Sequence, residues 1–219
     1  MVKEAHRRGI RVVMDLVINH VGPVFEYEGD GQWSGLEGPP KRIDRWEHEL
    51  RPVELAQEEH FTRRGTITNW KDPEQSTRGD FPPNLRHLAT DNPATQQILL
   101  HIASWWIKET DIDGFRLDAI RHMDPSFLPG FIRSVREYAA RLDKRNFLLL
   151  GEDSTGIDCE IRRDLDTGIG HVYGYPEYRR VNYALHGQAP TRDIETSMQQ
   201  ALSALGGAVG QLVRFIDNH

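Results

Sequence analysis

The sequence lacks several features that would assign it to large classes of protein. Its one cysteine, Cys159, excludes an intrachain disulfide and is most simply a bystander. There is no apolar run long enough to span a membrane, and no secretory signal is visible. A net charge of −6 without a basic stripe argues against a nucleic-acid partner. The 38% hydrophobic and 27% charged residues are typical of a soluble globular protein, and no compartment is indicated.

Signature motifs of several common sites are also missing. No predicted strand is followed by Gly-x-Gly-x-x-Gly or by a P-loop sequence, which disfavours a nucleotide-binding open sheet. Neither His-Glu-x-x-His nor Cys-x-x-Cys occurs, so a His₃ zinc site receives only weak support. Its candidate ligands would be the histidines that follow predicted strands, namely His20, His122 and His219.

Strand and helix patterns alternate along the chain, with one long interruption. Apolar runs predict buried strands at residues 11–18, 114–118, 146–150, 171–173 and 211–216. Helical periods lie between these strands. The first begins at Asn92-Pro93, and its predicted buried face carries Ile98, Ile102, Trp105 and Trp106. Residues 21–93 are instead rich in Gly, Pro and charge, which predicts a small inserted domain.

Polar clusters end four of the predicted strands. They are Asp15/Asn19/His20, Arg116/Asp118/His122, Glu152/Asp153 and Asp217/Asn218/His219. Alternating strands and helices imply a parallel α/β sheet, either open or closed. Because many strand ends converge on one site only in a closed barrel, this pattern favours the barrel. Its residues would be 1–20 and 94–219, on either side of the insertion at 21–93.

Residues 114–122 read Gly-Phe-Arg-Leu-Asp-Ala-Ile-Arg-His and are the most informative stretch of the chain. Successive strand side chains point to opposite faces, so Arg116 and Asp118 share one face. A strand buried on both sides seldom carries such charges unless they form an ion pair or take part in function. The arginine is expected to keep Asp118 ionised, which suits a nucleophile, although a structural salt bridge would leave the same pattern.

Glu152 ends the next predicted strand and brings a second carboxyl group beside Asp118. Neighbouring strands lie about 4.8 Å apart, and a retaining glycosidase needs two carboxyl groups about 5–5.5 Å apart. One would attack the anomeric carbon, and the other would protonate the departing oxygen. A less polar surrounding would raise the pKa of Glu152 for that second role. The alternative is that the two carboxylates bind a divalent metal.

Four stretches resemble the strand-end motifs of the α-amylase family of glycoside hydrolases, in the family's order. They are Asp-Leu-Val-Ile-Asn-His at 15–20, Gly-Phe-Arg-Leu-Asp-Ala-Ile-Arg-His at 114–122, Gly-Glu at 151–152 and Phe-Ile-Asp-Asn-His at 215–219. The resemblance covers the whole chain, more loosely at 23–90. It implies a partial (β/α)8 TIM barrel without the first two strands and the eighth, and with the family's domain B inserted after the third strand at 21–93.

The resemblance also implies a role for each matching residue. Asp118 would be the catalytic nucleophile and Glu152 the general acid/base. The substrate-binding residues would be Asp15, His20, Arg116, His122 and His219. In the family, a third catalytic carboxylate directly follows the motif that ends here at His219. Asp217 is expected to play a minor part.

Many members of this family bind Ca²⁺ between the barrel and domain B. The resemblance implies that Asn19 and the carbonyl of His122 would be ligands here. In the matching segment, residues 80–88, Asn84 or His87 stands where the family carries an aspartate. Because Ca²⁺ prefers carboxylate oxygens, the sequence supports this cofactor only in part.

We therefore expect a retaining hydrolase of α-1,4-glucosidic bonds in starch-like glucans or maltooligosaccharides. A transglycosylase or sugar isomerase of the same family, trehalose- or sucrose-related, would carry the same catalytic residues. A non-catalytic binding relative would have no need for Asp118, Glu152 and Arg116 together. A zinc-dependent hydrolase would need bound metal. Since such a barrel typically has about 250 residues, we expect these 219 residues alone to be a fragment with little or no activity.

Overall fold

A computed structural model describes residues 1–217; Asn218 and His219 lie outside the described residues. The strands are β1 (Val13–Leu16), β2 (His20–Val21), β3 (Phe25–Tyr27), β4 (Ile43–Trp46), β5 (Arg86–His87), β6 (Gly114–Leu117), β7 (Leu148–Gly151), β8 (His171–Tyr173) and β9 (Leu212–Val213). The helices are α1 (Val2–Arg7), α2 (Pro73–Arg78), α3 (Pro93–Thr110), α4 (Phe127–Arg141), α5 (Asp158–Asp166), α6 (Tyr175–Leu185) and α7 (Arg192–Leu205). None of the helices in this described part combines the length and the apolar character of a membrane span.

Five strands form one parallel sheet in the order β1-β6-β7-β8-β9. Helix α4 precedes β7, α5 precedes β8, and α6 and α7 precede β9. Parallel strands that follow one another both in the chain and in the sheet, with helices between them, are the arrangement of a (β/α) barrel wall. The predicted parallel α/β architecture is confirmed.

The alternation along β6 decides which side chains reach the inner face of the sheet. Phe115 and Leu117 are fully buried in the core, where the Phe115 ring packs edge-on against Phe147 at 5.2 Å. The side chain of Arg116 lies on the opposite face, which is the inner face of the sheet. A Cβ at Gly114 would lie 2.7 Å from the carbonyl oxygen of Leu148, so the close approach of β6 to β7 requires glycine at the start of the strand.

The segment between β1 and α3 forms two small antiparallel sheets, β2–β5 and β3–β4. The rings of Phe25, Trp46 and Phe61 pack edge to face, with centroids between 5.1 and 5.8 Å apart. The guanidinium of Arg86 lies 4.9 Å from the Phe25 ring and forms a 3.0 Å ion pair with buried Asp80. The rings of Phe25 and Phe61 are continuous with the main hydrophobic core, which also contains Leu16, Leu99 and Phe115. That residues 21–93 are a separate domain stays a prediction.

Two elements differ from the expectation. Strand β9 spans Leu212–Val213 rather than residues 211–216. Trp105, placed on the buried face of α3 by its spacing, is 48% exposed. The buried residues of the helix are Thr95, Leu99, Ala103 and Ile107. These smaller side chains, four residues apart, allow α3 to approach α4 closely, and the ring of Trp105 packs instead against that of Trp106 at 4.8 Å.

Candidate active site

The carboxyl ends of β1, β6 and β7 form the candidate site. The parallel register places Asp15 beside Arg116 on neighbouring strands. Past the end of β6, the amide of Asp118 donates to a β1 carbonyl at 3.3 Å, and past the end of β7 the amide of Glu152 donates to a β6 carbonyl at 2.9 Å. Backbone hydrogen bonds thus bring the predicted acidic residues to one edge of the sheet.

Arg116 lies at the centre of this group. Its Nη1 atom is 2.7 Å from Oδ1 of Asp15 and 2.7 Å from Oδ1 of Asp118, and its Nη2 atom pairs with Oε2 of Glu152. Asp15 is largely exposed, whereas the side chains of Arg116, Asp118 and Glu152 are shielded from solvent. One guanidinium therefore binds carboxylates from three neighbouring strands, which is more than the simple buried ion pair considered from the sequence.

The pKa values of the two shielded carboxyl groups differ from the expectation. Burial, followed by a hydrogen bond and the charge of Glu152, raises the pKa of Asp118. Burial alone would also raise the pKa of Glu152, but the hydroxyl of Tyr175 and the positive charge of Arg116 lower it below its usual range. The sequence predicted an ionised Asp118 and a raised pKa for Glu152. In the free site the pKa of Asp118 is raised and that of Glu152 is lowered, so this prediction is wrong there. The physical reason is that Arg116 reaches both groups and that Glu152 lies in polar surroundings.

Tyr175 is a site residue that the sequence reasoning missed. It begins α6, directly after β8, and its hydroxyl donates to Oε1 of Glu152 at 2.6 Å. The available signal was the Gly-Tyr-Pro sequence that follows the short predicted strand at 171–173, because residues directly after a barrel strand face the site.

The turn after Asp118 is made by a residue in an unusual conformation. Ala119 is left-handed, with φ 52° and ψ 39°. The chain then enters a short 3-10 helix, Ile120–His122, whose first amide donates to the carbonyl of Glu152 at 3.0 Å. Residues other than glycine in this region are strained, and such strain concentrates at functional sites.

His20 lies beside Asp118, and its contact with a sugar stays a prediction. Its Nε2 atom is 4.0 Å from Oδ2 of Asp118, and its ring packs against Phe81 with centroids 4.7 Å apart. Burial lowers the pKa of His20. The neutral imidazole therefore prevails at pH 7, where it can donate a hydrogen bond without adding charge.

His122 is held against the insertion. Its Nδ1 atom donates to the carbonyl of Ser76 at 2.7 Å, and burial lowers its pKa to about 4. Trp70 and Phe81 pack edge-on against the ring, at 5.4 and 4.9 Å. The imidazole thus joins the barrel to α2, and the substrate contacts of His122 and His219 stay predictions. Of the two, His219 lies outside the described residues.

The residues at the expected calcium position supply only some of the ligands that this ion would need, and calcium binding stays a prediction. Asn19 is fully buried, and its Oδ1 atom has no hydrogen-bond partner within residues 1–217. The carbonyl of His122, however, accepts a 3.0 Å hydrogen bond from Nε2 of His87. Asp80, the acid of that segment, is bound by Arg86. An imidazole N–H of His87 therefore occupies one side of the carbonyl that the resemblance assigns to Ca²⁺.

A cavity of about 440 Å³ opens beside Glu152 on the inner face of the sheet. Arg116 and Asp15 form part of its wall, and Tyr173 and Phe215 contribute aromatic surface. Aromatic rings beside a few placed polar groups suit a ligand that carries both hydroxyl groups and apolar faces. A sugar ring has that character.

Comparison with known proteins decides to which family this arrangement belongs. The family profile described as alpha amylase, catalytic domain, matches residues 1–148. The chain belongs to the α-amylase catalytic-domain family. The predicted family is thereby confirmed, and the five-stranded sheet is part of a (β/α)8 TIM barrel.

Curated relatives of this α-amylase-family chain are several times longer than the chain. The cyclomaltodextrinase of Geobacillus thermopakistaniensis (strain MAS1) is 33% identical over 152 residues, which are 69% of this chain and 22% of that protein. The intracellular maltogenic amylase of Bacillus subtilis (strain 168) is 30% identical over 155 residues, with the same two shares. The chain thus spans about a fifth of the length of these relatives.

Solved structures extend the match to the whole chain. The crystal structure of the α-amylase from Geobacillus thermoleovorans, complexed with acarbose, has a TM-score of 0.75 and 31% identity. An Anoxybacillus α-amylase has the same TM-score at 26% identity. Both comparisons cover 100% of this chain and 42% of the solved chain.

Proposed function

We propose that this chain supplies the nucleophile and the general acid/base of a retaining glycoside hydrolase that cleaves α-1,4-glucosidic bonds in starch-like glucans. The observation that carries the proposal is the contact of Arg116 with Asp15, Asp118 and Glu152 at three adjacent strand ends. Relatives named cyclomaltodextrinase and maltogenic amylase, and a neighbour crystallised with acarbose, support an α-glucan as the substrate.

In the first step, a carboxylate oxygen of Asp118 attacks the anomeric carbon of the sugar. The bond from that carbon to the leaving oxygen breaks, and the carboxyl group of Glu152 gives its proton to the leaving oxygen. The product is a glycosyl ester on Asp118. Asp15 and neutral His20 bind hydroxyl groups of the same sugar.

In the second step, Glu152 acts as a base. Its carboxylate takes a proton from water, the water oxygen attacks the anomeric carbon, and the ester bond to Asp118 breaks. Two displacements at one carbon retain its configuration. A sugar hydroxyl in place of water would give transfer instead of hydrolysis, which is the related activity that shares these residues.

Arg116 sets the charges on which both steps depend. In the free site it binds the two carboxylates together, and burial, followed by the neighbouring Glu152, raises the pKa of Asp118. A sugar that enters between the carboxyl groups separates them. Asp118, still bound by Arg116, is then favoured as the anion, and Glu152 is favoured as the proton donor.

The full-length protein that carries this sequence should release products with the α configuration from maltooligosaccharides. Proton NMR of the first products distinguishes the anomers before they equilibrate, and chromatography of the same samples distinguishes hydrolysis from transfer. Release of the β-anomer first would contradict the proposed mechanism. Binding of maltooligosaccharides without any cleavage or transfer would favour a non-catalytic relative.

A further inference from the structure

The hydroxyl of Tyr175 contacts one oxygen of the Glu152 carboxyl group and leaves the other to a different partner. It donates to Oε1 at 2.6 Å, whereas Oε2 pairs with Arg116. Both side chains are largely shielded from solvent. A hydrogen bond in such a position constrains the orientation of the carboxyl group strongly, because little water is available to replace it.

The ring of Tyr175 is itself fixed by aromatic neighbours from three elements. Phe215, in the segment after β9, packs edge-on against it with centroids 5.0 Å apart. Tyr173 on β8 and Tyr178 on α6 lie at 6.4 and 6.1 Å. Phe215 also stacks on Tyr178 at 4.4 Å. The hydroxyl is thus presented to Glu152 from a packed cluster rather than from a mobile side chain.

The charges around Glu152 come from several elements. The charged side chains that contact Glu152 or line the same cavity are those of Arg116, Asp118, Asp15 and Asp217. The neutral hydroxyl of Tyr175 contacts Glu152 as well. Among them, Arg116 is the cation and Tyr175 the neutral donor. Asp118 is the neighbouring acid, and Asp15 reaches the group through Arg116.

We propose that Tyr175 is a positioning residue for Glu152: its hydroxyl fixes Oε1, so that Oε2 is the oxygen that exchanges a proton with the leaving group and with water. The proposal rests on the function proposed above and extends it to Tyr175, at the carboxyl end of β8. Arg116 occupies the Oε2 position in the free site, and the substrate oxygen replaces it there. Tyr175 keeps its bond throughout both steps.

The sign of the expected pKa effect follows from the direction of this hydrogen bond. A donor to a carboxylate stabilises the ionised form and lowers the pKa of the acid. Removal of the hydroxyl therefore raises the pKa of Glu152, by about one unit for the loss of one hydrogen bond to a charged group. In the enzyme–substrate complex, where Glu152 is the proton donor, the protonated acid then persists to higher pH, so the basic limb of the kcat profile moves to higher pH.

The pKa of Glu152 can be measured in the full-length protein by ¹³C NMR of the side-chain carboxyl carbons. Glu152→Gln identifies the signal, and the neighbouring signal of Asp118 is followed in the same titration. Tyr175→Phe, which keeps the ring, should raise the pKa of Glu152 by about one unit. Tyr178→Phe, in the same aromatic cluster, is the matched control and should leave it unchanged. An unchanged pKa in Tyr175→Phe, or an equal rise in both variants, would overturn the proposal.

The activity of the full-length protein separates this proposal from the one on which it rests. Tyr175→Phe should move the basic limb of the kcat profile to higher pH, in the same direction as the NMR titration, while Tyr178→Phe should not. A shifted NMR titration together with a parent protein that cleaves no glucan would refute the proposed function but leave the contact intact. A full-length protein that cleaves glucan, with the same basic limb of kcat in Tyr175→Phe, would refute the role of Tyr175 alone.

Discussion

Asp118→Asn should lower kcat of the full-length protein on maltooligosaccharides by at least about 10⁴-fold, because an amide oxygen cannot replace the attacking carboxylate. The KM should change far less, since Asp15, His20 and Arg116 still bind the sugar. The fold should survive the change. Asp118 has a raised pKa through burial and its neighbour Glu152, so a neutral amide at this position removes repulsion.

The matched control for this variant is Asp166→Asn. Asp166 pairs with Arg162 on the exposed side of α5, away from the strand ends, and undergoes the same chemical change. The activity of Asp166→Asn should equal that of the unsubstituted full-length protein, as measured by steady-state kinetics on the same substrate. Activity of Asp118→Asn within tenfold of this control would show that another group is the nucleophile.

Arg86→Met should lower the free energy of unfolding of the chain by about 3–5 kcal/mol, the usual cost of removing one partner of a buried ion pair. Arg86 and Asp80 are almost completely buried and lie 3.0 Å apart. Arg86 also donates twice to the carbonyl of Phe25, at 3.0 and 2.7 Å. The variant therefore leaves a buried carboxylate without its cation and a buried carbonyl without these two donors, although Asp80 keeps its hydrogen bonds from Tyr27 and His87.

Urea unfolding at pH 7 measures this effect, with Arg8→Met as the control. Arg8 forms an exposed ion pair with Glu4, and its loss should cost no more than about 1 kcal/mol. Because Arg86 lies in the core of the segment 21–93, Arg86→Met should loosen this segment first. Equal stability of the two variants would mean that the Arg86–Asp80 pair does not hold the insertion together.

The strand ends of the site could be predicted because they carry strong local signals. Asp118 and Glu152 follow apolar runs, and parallel pairing turns consecutive strands into neighbours. Arg116 could be identified because a charged side chain on a buried strand is rare unless it is paired. The family motifs then assigned these positions together, which no single motif could do alone.

Other parts of the site depend on contacts that leave little trace in the sequence. Tyr175 reaches Glu152 across 23 positions, from a passage in which several aromatic residues look alike. The directions in which the pKa values of Asp118 and Glu152 shift depend on the contact of Arg116 with both carboxyl groups. The spacing of these residues in the sequence does not define that contact. The sequence offered Asn84 or His87 at the position of the family's aspartate, and only the structure shows that His87 donates to the carbonyl of His122.

The central claim is that Asp118 forms a covalent bond to the sugar. A fluorinated α-glucosyl fluoride that forms the glycosyl ester quickly and hydrolyses slowly should label the full-length protein with one sugar. Mass spectrometry of the digested protein should find the added mass on Asp118, in the peptide that contains residues 114–118. A label on any other residue, or turnover of the reagent without a trapped ester, would contradict the account.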